Sequence, residues 1–338
     1  MPPLPGKVVV AVALVVALTA TAGAVLAKKH HGAKQPRGPY PSLGGCPVFP
    51  KSSAAASAPS GADESAWNQD ISSAPVDPNS AAYIAYINAH GGDFLHPDFG
   101  SPREYGFPYA VVGKKQKRTK LNFTAYGDES DHGAYRVPFK ALVEGGQNSD
   151  GDRHVLAVER ARCKLDELYR GFAKKSPKPH WNADSAVIWD LRSSVLRPEG
   201  FTSADAAGLP IFPGLARFDE ASSGHIDHAF RVTVDSTQNA WVHPASHCAG
   251  DTSNPSAPPM GLRLRLSAAY DISGITGPAH AIAAALKQYG LFIADNGSNW
   301  FISGTSDRRW SDDNLNQLKS LPGSAFQVVQ SAAPIHRC

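Results

Sequence analysis

Gly224-His225-Ile226-Asp227-His228-Ala229-Phe230-Arg231-Val232-Thr233-Val234 sets histidine, aspartate and arginine inside an apolar run. Read with a period of two, Ile226, His228, Phe230, Val232 and Val234 share one face, and Asp227, Arg231 and Thr233 share the other. An imidazole on an apolar face is costly without a partner, so His228 must meet a hydrogen bond, a ligand or a pocket. A core histidine bonded to a neighbouring carbonyl meets that demand as well as a catalytic one does. In the catalytic reading His228 moves a proton and Arg231 positions an anionic group. Trp241, His243 and His247 follow after the turn at 235–239, so three histidines from neighbouring strands could instead hold a metal ion, as in a cupin-like barrel. His225 and His228 fall on opposite faces of one strand and should not chelate together.

Carboxylates supply the second set. Glu144 follows the apolar run Ala141-Leu142-Val143, which places it at a strand end, and Asp152 lies a short loop beyond. A protonated and an ionised carboxyl at such a pair of strand ends hydrolyse glycosidic bonds. Asn148, Asp150 and Asp152 alternate like part of a calcium loop, but the glutamate that closes an EF-hand is missing. Asp128, Glu129 and Asp131 crowd one loop; they would coordinate calcium or form a solvated turn, and calcium is the one cofactor the sequence suggests, none being required. Asp295 and Asn296 open the turn that leads to Trp300, with Trp310 soon after. Turn chemistry accounts for Asp295, Asn296 and Gly297, while Trp241, Trp300 and Trp310 offer faces on which sugar rings stack. Other chemistries find no support: there is no G-x-S-x-G elbow, phosphate loop or dinucleotide fingerprint.

The elements that must position these groups read mainly as strands. Strand-like runs fall at 108–112, 121–126, 135–143, 154–159, 186–191, 226–234, 240–243, 262–271, 291–294 and 300–303. In Leu262-Arg263-Leu264-Arg265-Leu266 the leucines should face the core and the arginines water. Helices are expected at 81–90, capped by Asn79-Ser80, from Pro278 to Tyr289, and after Ser311. Val155, Leu156, Val158, Ile188, Trp189, Phe230, Val232, Leu264, Leu266, Phe292 and Ile293 should form the core. Many short strands with 30 Gly and 27 Pro predict a mainly β fold, a two-sheet β-sandwich of jelly-roll type with a few short peripheral helices. A βαβ sheet is disfavoured, because strands outnumber the helices available for crossovers.

Residues 1–27 read as a signal peptide: Lys7, an apolar run from Val8 to Ala27, and Ala22-Gly23-Ala24 as a cleavage pattern. Left uncleaved, the run would anchor the chain in a membrane. Residues 28–66 form a Pro/Ala/Ser-rich linker around Cys46, and 67–338 a single domain. The four cysteines, Cys46, Cys163, Cys248 and Cys338, include no C-x-x-C pair and fit two disulfides in an oxidising compartment. Of three connectivities, Cys46–Cys163 with Cys248–Cys338 would tie both ends of the domain to central strands. A net charge of +3, from 33 basic and 30 acidic residues, argues against nucleic acid as the partner. The basic loop Lys114 to Lys120 reads as a solvated hairpin tip.

Several blocks together resemble a family of secreted bacterial proteins common in soil organisms. They are Trp67-Asn68-Gln69-Asp70-Ile71-Ser72, Asp128-Glu129-Ser130-Asp131, Glu144-Gly145-Gly146, Gly151-Asp152-Arg153-His154-Val155-Leu156, the stretch from Ala204 to Leu215, Pro258-Pro259-Met260-Gly261 and the stretch from Ala294 to Trp300. The resemblance spans roughly residues 46–330 and brings no activity or catalytic assignment with it. Some members are joined to carbohydrate-binding modules, which associates the family with glycans. It implies a small residue other than cysteine at 248, so a Cys248–Cys338 bridge would be particular to this chain. Together the residues predict an extracellular carbohydrate-active enzyme cleaving a polysaccharide or cell-wall glycan as hydrolase or lyase. Glu144, Asp152, His228, Arg231 and His247 would be catalytic, and Trp241, Asp295, Asn296, Trp300 and Trp310 substrate-binding. The alternative is a glycan- or cell-wall-binding protein without catalysis.

Overall fold

The computed structural model describes residues 43, 45–48, 65–100, 105–336 and 338. The expected leader over 1–27 and most of the 28–66 linker lie outside the described residues. Helix α1 (Ser80–Ala89) precedes strands β1 (His96–Asp98), β2 (Tyr109–Val112), β3 (Leu121–Phe123), β4 (Val155–Glu159), β5 (Lys164–Tyr169), β6 (Phe172–Lys174), β7 (His180–Ala183) and β8 (Ser185–Asp190). Then come α2 (Phe218–Ser223), β9 (Phe230–Val234), β10 (Arg263–Leu266), α3 (Gly277–Gln288), β11 (Leu291–Asn296), β12 (Phe301–Ser303), α4 (Asp312–Asn316) and β13 (Phe326–Val328). The chain is mainly β with few short helices, as expected.

The strands form three sheets: six-stranded β1-β12-β9-β11-β10-β13, four-stranded β2-β4-β5-β8 and three-stranded β3-β7-β6. The pairs β1–β12, β9–β11, β2–β4 and β3–β7 are parallel. This pairing does not display the antiparallel Greek keys of a jelly roll. All five residues of β4 are buried. Leu156 and Val158 face one apolar cluster with Phe212 and Leu215, while Val155 and Ala157 face another with Tyr135, Val143 and Trp181. A strand covered on both faces loses the alternation of a half-exposed one and reads as a continuous apolar run. The larger core joins the six-stranded sheet to α1 and α3, where Ile282, Leu286 and Tyr289 form the stripe expected of α3.

Several expectations change in detail. The run 135–143 forms no strand; Val137, Ala141 and Val143 are buried from an irregular path that Pro138 interrupts. The run 240–243 contributes only bridges from Trp241 to Met260 and Ile335. At α1 the Asn79 side chain makes no cap, and the Ser80 hydroxyl instead accepts the Val328 N–H at 2.9 Å. Arg263 and Arg265 are buried rather than solvated. The segment 69–72 crosses β10 and offers carbonyls: Arg263 donates to Gln69 and Tyr289, and Arg265 to Ile71 and Ser72. Of the expected core residues only Ile188 is partly exposed.

Cys46 and Cys163 form a disulfide with Cα atoms 5.3 Å apart, and Cys248 pairs with Cys338 at a Cα separation of 5.9 Å. The inner partners stand in the β4–β5 turn and in a loop, not in central strands. The first bridge lies in one buried apolar cluster with Leu43, Val48, Leu165 and Leu191. Closing so long a loop restricts the unfolded chain. Replacing Cys46 and Cys163 by alanine is expected to cost about 2–5 kcal/mol, measured as a lower midpoint in denaturant titrations of the protein.

Candidate active site

Loops at the ends of two sheets enclose a cavity of about 240 Å³. Asp152 stands just before β4, Tyr169 ends β5, Ser185 begins β8, and Asp295 and Asn296 end β11. The loop 202–206 and His247 complete the wall. Glu167, buried in β5, fixes the chain that follows that loop: its carboxylate accepts the N–H groups of Ile211 and Phe212 and the indole N–H of Trp189 at 2.8–3.1 Å. Gly208 passes at φ +70° so close to Ser246 and the Phe201 carbonyl that a Cβ there would clash.

Asp295 reaches the cavity because β11 carries one extra residue. Ile293 pairs with Val232 but Asp295 with Thr233, so the register shifts at Ala294. Unshifted, Asp295 would lie opposite Val234. The bulge moves it to the face that Thr233 shares with Arg231. Arg231 is buried, and its guanidinium takes Asp205 as a bidentate partner at 2.7 and 3.1 Å. It also donates to the Ser303 hydroxyl at 2.7 Å, lies over the Phe107 ring and stands 3.6 Å from Asp295. Burial raises the Asp295 carboxyl to about 7; Asp205 adds to the rise, Arg231 and His154 oppose it, and Asp152 adds a smaller push. The side chain keeps 22% of its surface open to the cavity.

Asp152 is exposed, and its carboxylate has no hydrogen-bond partner among the described residues. His247 lines the cavity with its ring held by Nδ1, which donates to the Ala206 carbonyl at 2.8 Å and leaves Nε2 without a hydrogen-bond partner among the described residues. Tyr126, 45% exposed, and half-buried Tyr169 supply the aromatic surface. Behind the wall, His154 bridges Glu144 at 2.5 Å and the Ala204 carbonyl at 2.8 Å. Burial disfavours the His154 cation, yet the Glu144 charge and hydrogen bond overcome this and raise the imidazole to about 9. Burial likewise works against the Glu144 anion, and His154 holds it below the usual carboxylate range.

The structure therefore brings together Asp152, His247, Asp295 and Asn296 and separates the other expected site residues. His228 lies in the loop before β9, its Nδ1 on the Ala229 carbonyl at 2.7 Å and its Nε2 on Glu220 at 3.2 Å, away from the cavity lining. It is a satisfied core histidine. Arg231 backs the cavity instead of lining it, and Glu144 is held by His154. Trp241, Trp300 and Trp310 present no free face: 0, 0 and 8% exposed, they donate their indole N–H to Glu199, Asn88 and the Thr305 carbonyl. Asn296 spends its amide on Thr237 and Asp235.

In the acidic loop, Asp131 pairs with Arg197 at 2.6 Å and accepts the Ile188 N–H, Glu129 accepts the Thr202 N–H at 2.7 Å, and Asp128 points to water. Glu129 thus tethers the cavity wall. Among the described residues no three His, Cys, Asp or Glu side chains converge on a point that would hold a metal ion. Asp205, His154, Tyr126 and Tyr169 were not anticipated. Asp205 and His154 stand inside blocks that carry the family resemblance, and the tyrosines have no distinguishing pattern. No family model matches the chain, and no curated protein or solved structure matches it.

The buried titrating groups set a pH dependence of stability. Burial raises Asp166, Glu167 and Asp295 each to about 7, and Asp98 moves in the same direction. These groups hold protons in the folded state that the unfolded chain has released, so their stabilisation is lost as pH rises through about 7. His154 extends the loss from its ordinary 6.5 to about 9. Glu220, buried but held at about 2 by Arg217 and His228, acts oppositely, its stabilisation vanishing as pH falls from 4.5 towards 2. The melting temperature followed by circular dichroism is therefore expected to fall steadily from about pH 4.5 to pH 9; a flat or rising profile would contradict these assignments.

Proposed function

We propose that the chain is an exported glycoside hydrolase that cleaves a polysaccharide or cell-wall glycan in the cavity between β4, β5, β8 and β11. One observation carries this reading: Asp152 and Asp295 line one cavity in unlike surroundings, the first open to water and the second enclosed and holding its proton to about 7. Carboxyls set apart in this way divide acid and base work between them. Asp295 passes its proton to the glycosidic oxygen as the bond to the leaving sugar breaks, and Asp152 takes a proton from the water that attacks the anomeric carbon. Tyr126 and Tyr169 offer faces for sugar rings, and His247 Nε2 accepts a hydroxyl. The Cys46–Cys163 disulfide fits an oxidising compartment, which supports export.

Hydrolysis is favoured over elimination by charge. Among the described residues the cavity lining holds no lysine or arginine, and Asp152 stands open in it, so a uronate would meet like charge and no free cation. The arginine that would neutralise it, Arg231, is already paired with Asp205, and His228 stands elsewhere. The substrate on this reading is a neutral or amino-sugar glycan.

The test is release of reducing ends from a panel of neutral, amino-sugar and uronate polysaccharides, with ultraviolet absorbance followed for unsaturated products. New reducing ends without absorbance are expected. Asp152→Asn and Asp295→Asn should each lower kcat/KM by about 10²–10⁴-fold, and wild-type kcat/KM should fall above about pH 7 as Asp295 loses its proton. Rising absorbance would mean a lyase; retention on a polysaccharide without cleavage would mean a binding protein.

A further inference from the structure

The groups behind the cavity contribute more than fixing a loop. Asp205 and Arg231 form a fully buried bidentate pair with Ser303 as a third anchor, and the same guanidinium stands 3.6 Å from Asp295. His154, clamped by Glu144, bonds to the carbonyl of Ala204, the residue before Asp205; its ring centroid stands 5.6 Å from that of Tyr169 in the cavity lining and 5.3 Å from that of Phe107, over which Arg231 lies. An anion and a cation that are each immobile thus act on one carboxyl from behind, where water does not screen them. We propose that Asp205 and the Glu144–His154 pair are opposing positioning residues that together fix the protonation state of Asp295, the first making it hold its proton and the second making it release it. This rests on Asp295 being the acid of the proposed hydrolysis, but it can be read without turnover.

The other charged and titrating groups facing Asp295 are Arg231, Asp152, Tyr169 and His247. Arg231 is shared between Asp205 and Asp295, so neutralising Asp205 removes a neighbouring anion and frees the guanidinium for Asp295; both effects favour the ionised carboxyl. Neutralising His154 removes a cation and favours the protonated one. Simple loosening of the wall would let water reach Asp295 in either variant and lower it in both. Opposite signs therefore distinguish electrostatic control from packing.

The experiment is a carbon-13 NMR titration of side-chain carboxyls in the full-length mature protein, with Asp295 assigned by the signal missing in Asp295→Asn. Asp205→Asn is expected to move the Asp295 midpoint down, and His154→Gln to move it up, each by about one pH unit. Glu144→Gln, at a less buried site, should act like His154→Gln because His154 then loses its charge near neutrality; it keeps the test open should a buried variant fail to fold. Movement of Asp295 in the same direction in Asp205→Asn as in His154→Gln or Glu144→Gln, or no movement, would overturn the proposal. Opposite movements in a protein that cleaves no glycan would uphold it and sink the hydrolase reading. Cleavage with an unmoved Asp295 would do the reverse.

Discussion

A guanidinium buried where two sheets approach must find its counter-charge on the spot, because an unpaired ion there would cost several kcal/mol. Arg231 meets this condition through Asp205, and much else follows. The pair holds the loop that closes the cavity against β9, Ser303 fastens the guanidinium to β12, and Phe107 covers it from the segment leading into β2. One side chain thus touches the six-stranded sheet, the chain entering the four-stranded sheet and the wall between them. The hydrogen bonds leave the guanidinium little freedom to turn towards a ligand.

Buried carboxylates repeat the theme on the four-stranded sheet. Asp166 and Glu167 sit side by side in β5, both fully buried, one accepting the Arg136 N–H and the other the N–H groups of Ile211 and Phe212. Each replaces a hydrophobic contact with a demand for specific donors, so segments that lack regular structure acquire fixed positions. The irregular stretches 129–143 and 197–217 are ordered in this way, with Glu129 and Asp131 serving similar ends. What resembles a catalytic or metal-binding surplus of acids is largely the means by which loops are held.

That economy explains what could be read from the residues and what could not. The strands β2, β4, β8, β9 and β11 and helices α1 and α3 follow apolar patterns strong enough to recognise. Strand β5 was hidden because Lys164-Leu165-Asp166-Glu167-Leu168-Tyr169 looks like surface, its acids being satisfied by partners far along the chain. The site was partly legible: Asp152, His247, Asp295 and Asn296 do meet. His228 misled for a physical reason, since the apolar face that demands a partner for it cannot say whether Glu220 or a substrate provides one. The tryptophans misled because an indole with its N–H satisfied is as content inside as at a groove. Asp205 stands inside a block of the resemblance but showed no role there, for an aspartate becomes informative only when its arginine is known.

The extra residue in β11 has a consequence for how such a site is inherited. A strand slips faces with every single insertion or deletion, so the presence of Asp295 in the cavity depends on chain length as much as on residue type. A related chain could keep every aspartate, histidine and tyrosine named above and still, one residue longer between Ile293 and Asp295 with the same bulge, turn its acid away from the cavity. Competence of this kind is written in counting, and a comparison that scores identities while tolerating gaps would pass over it.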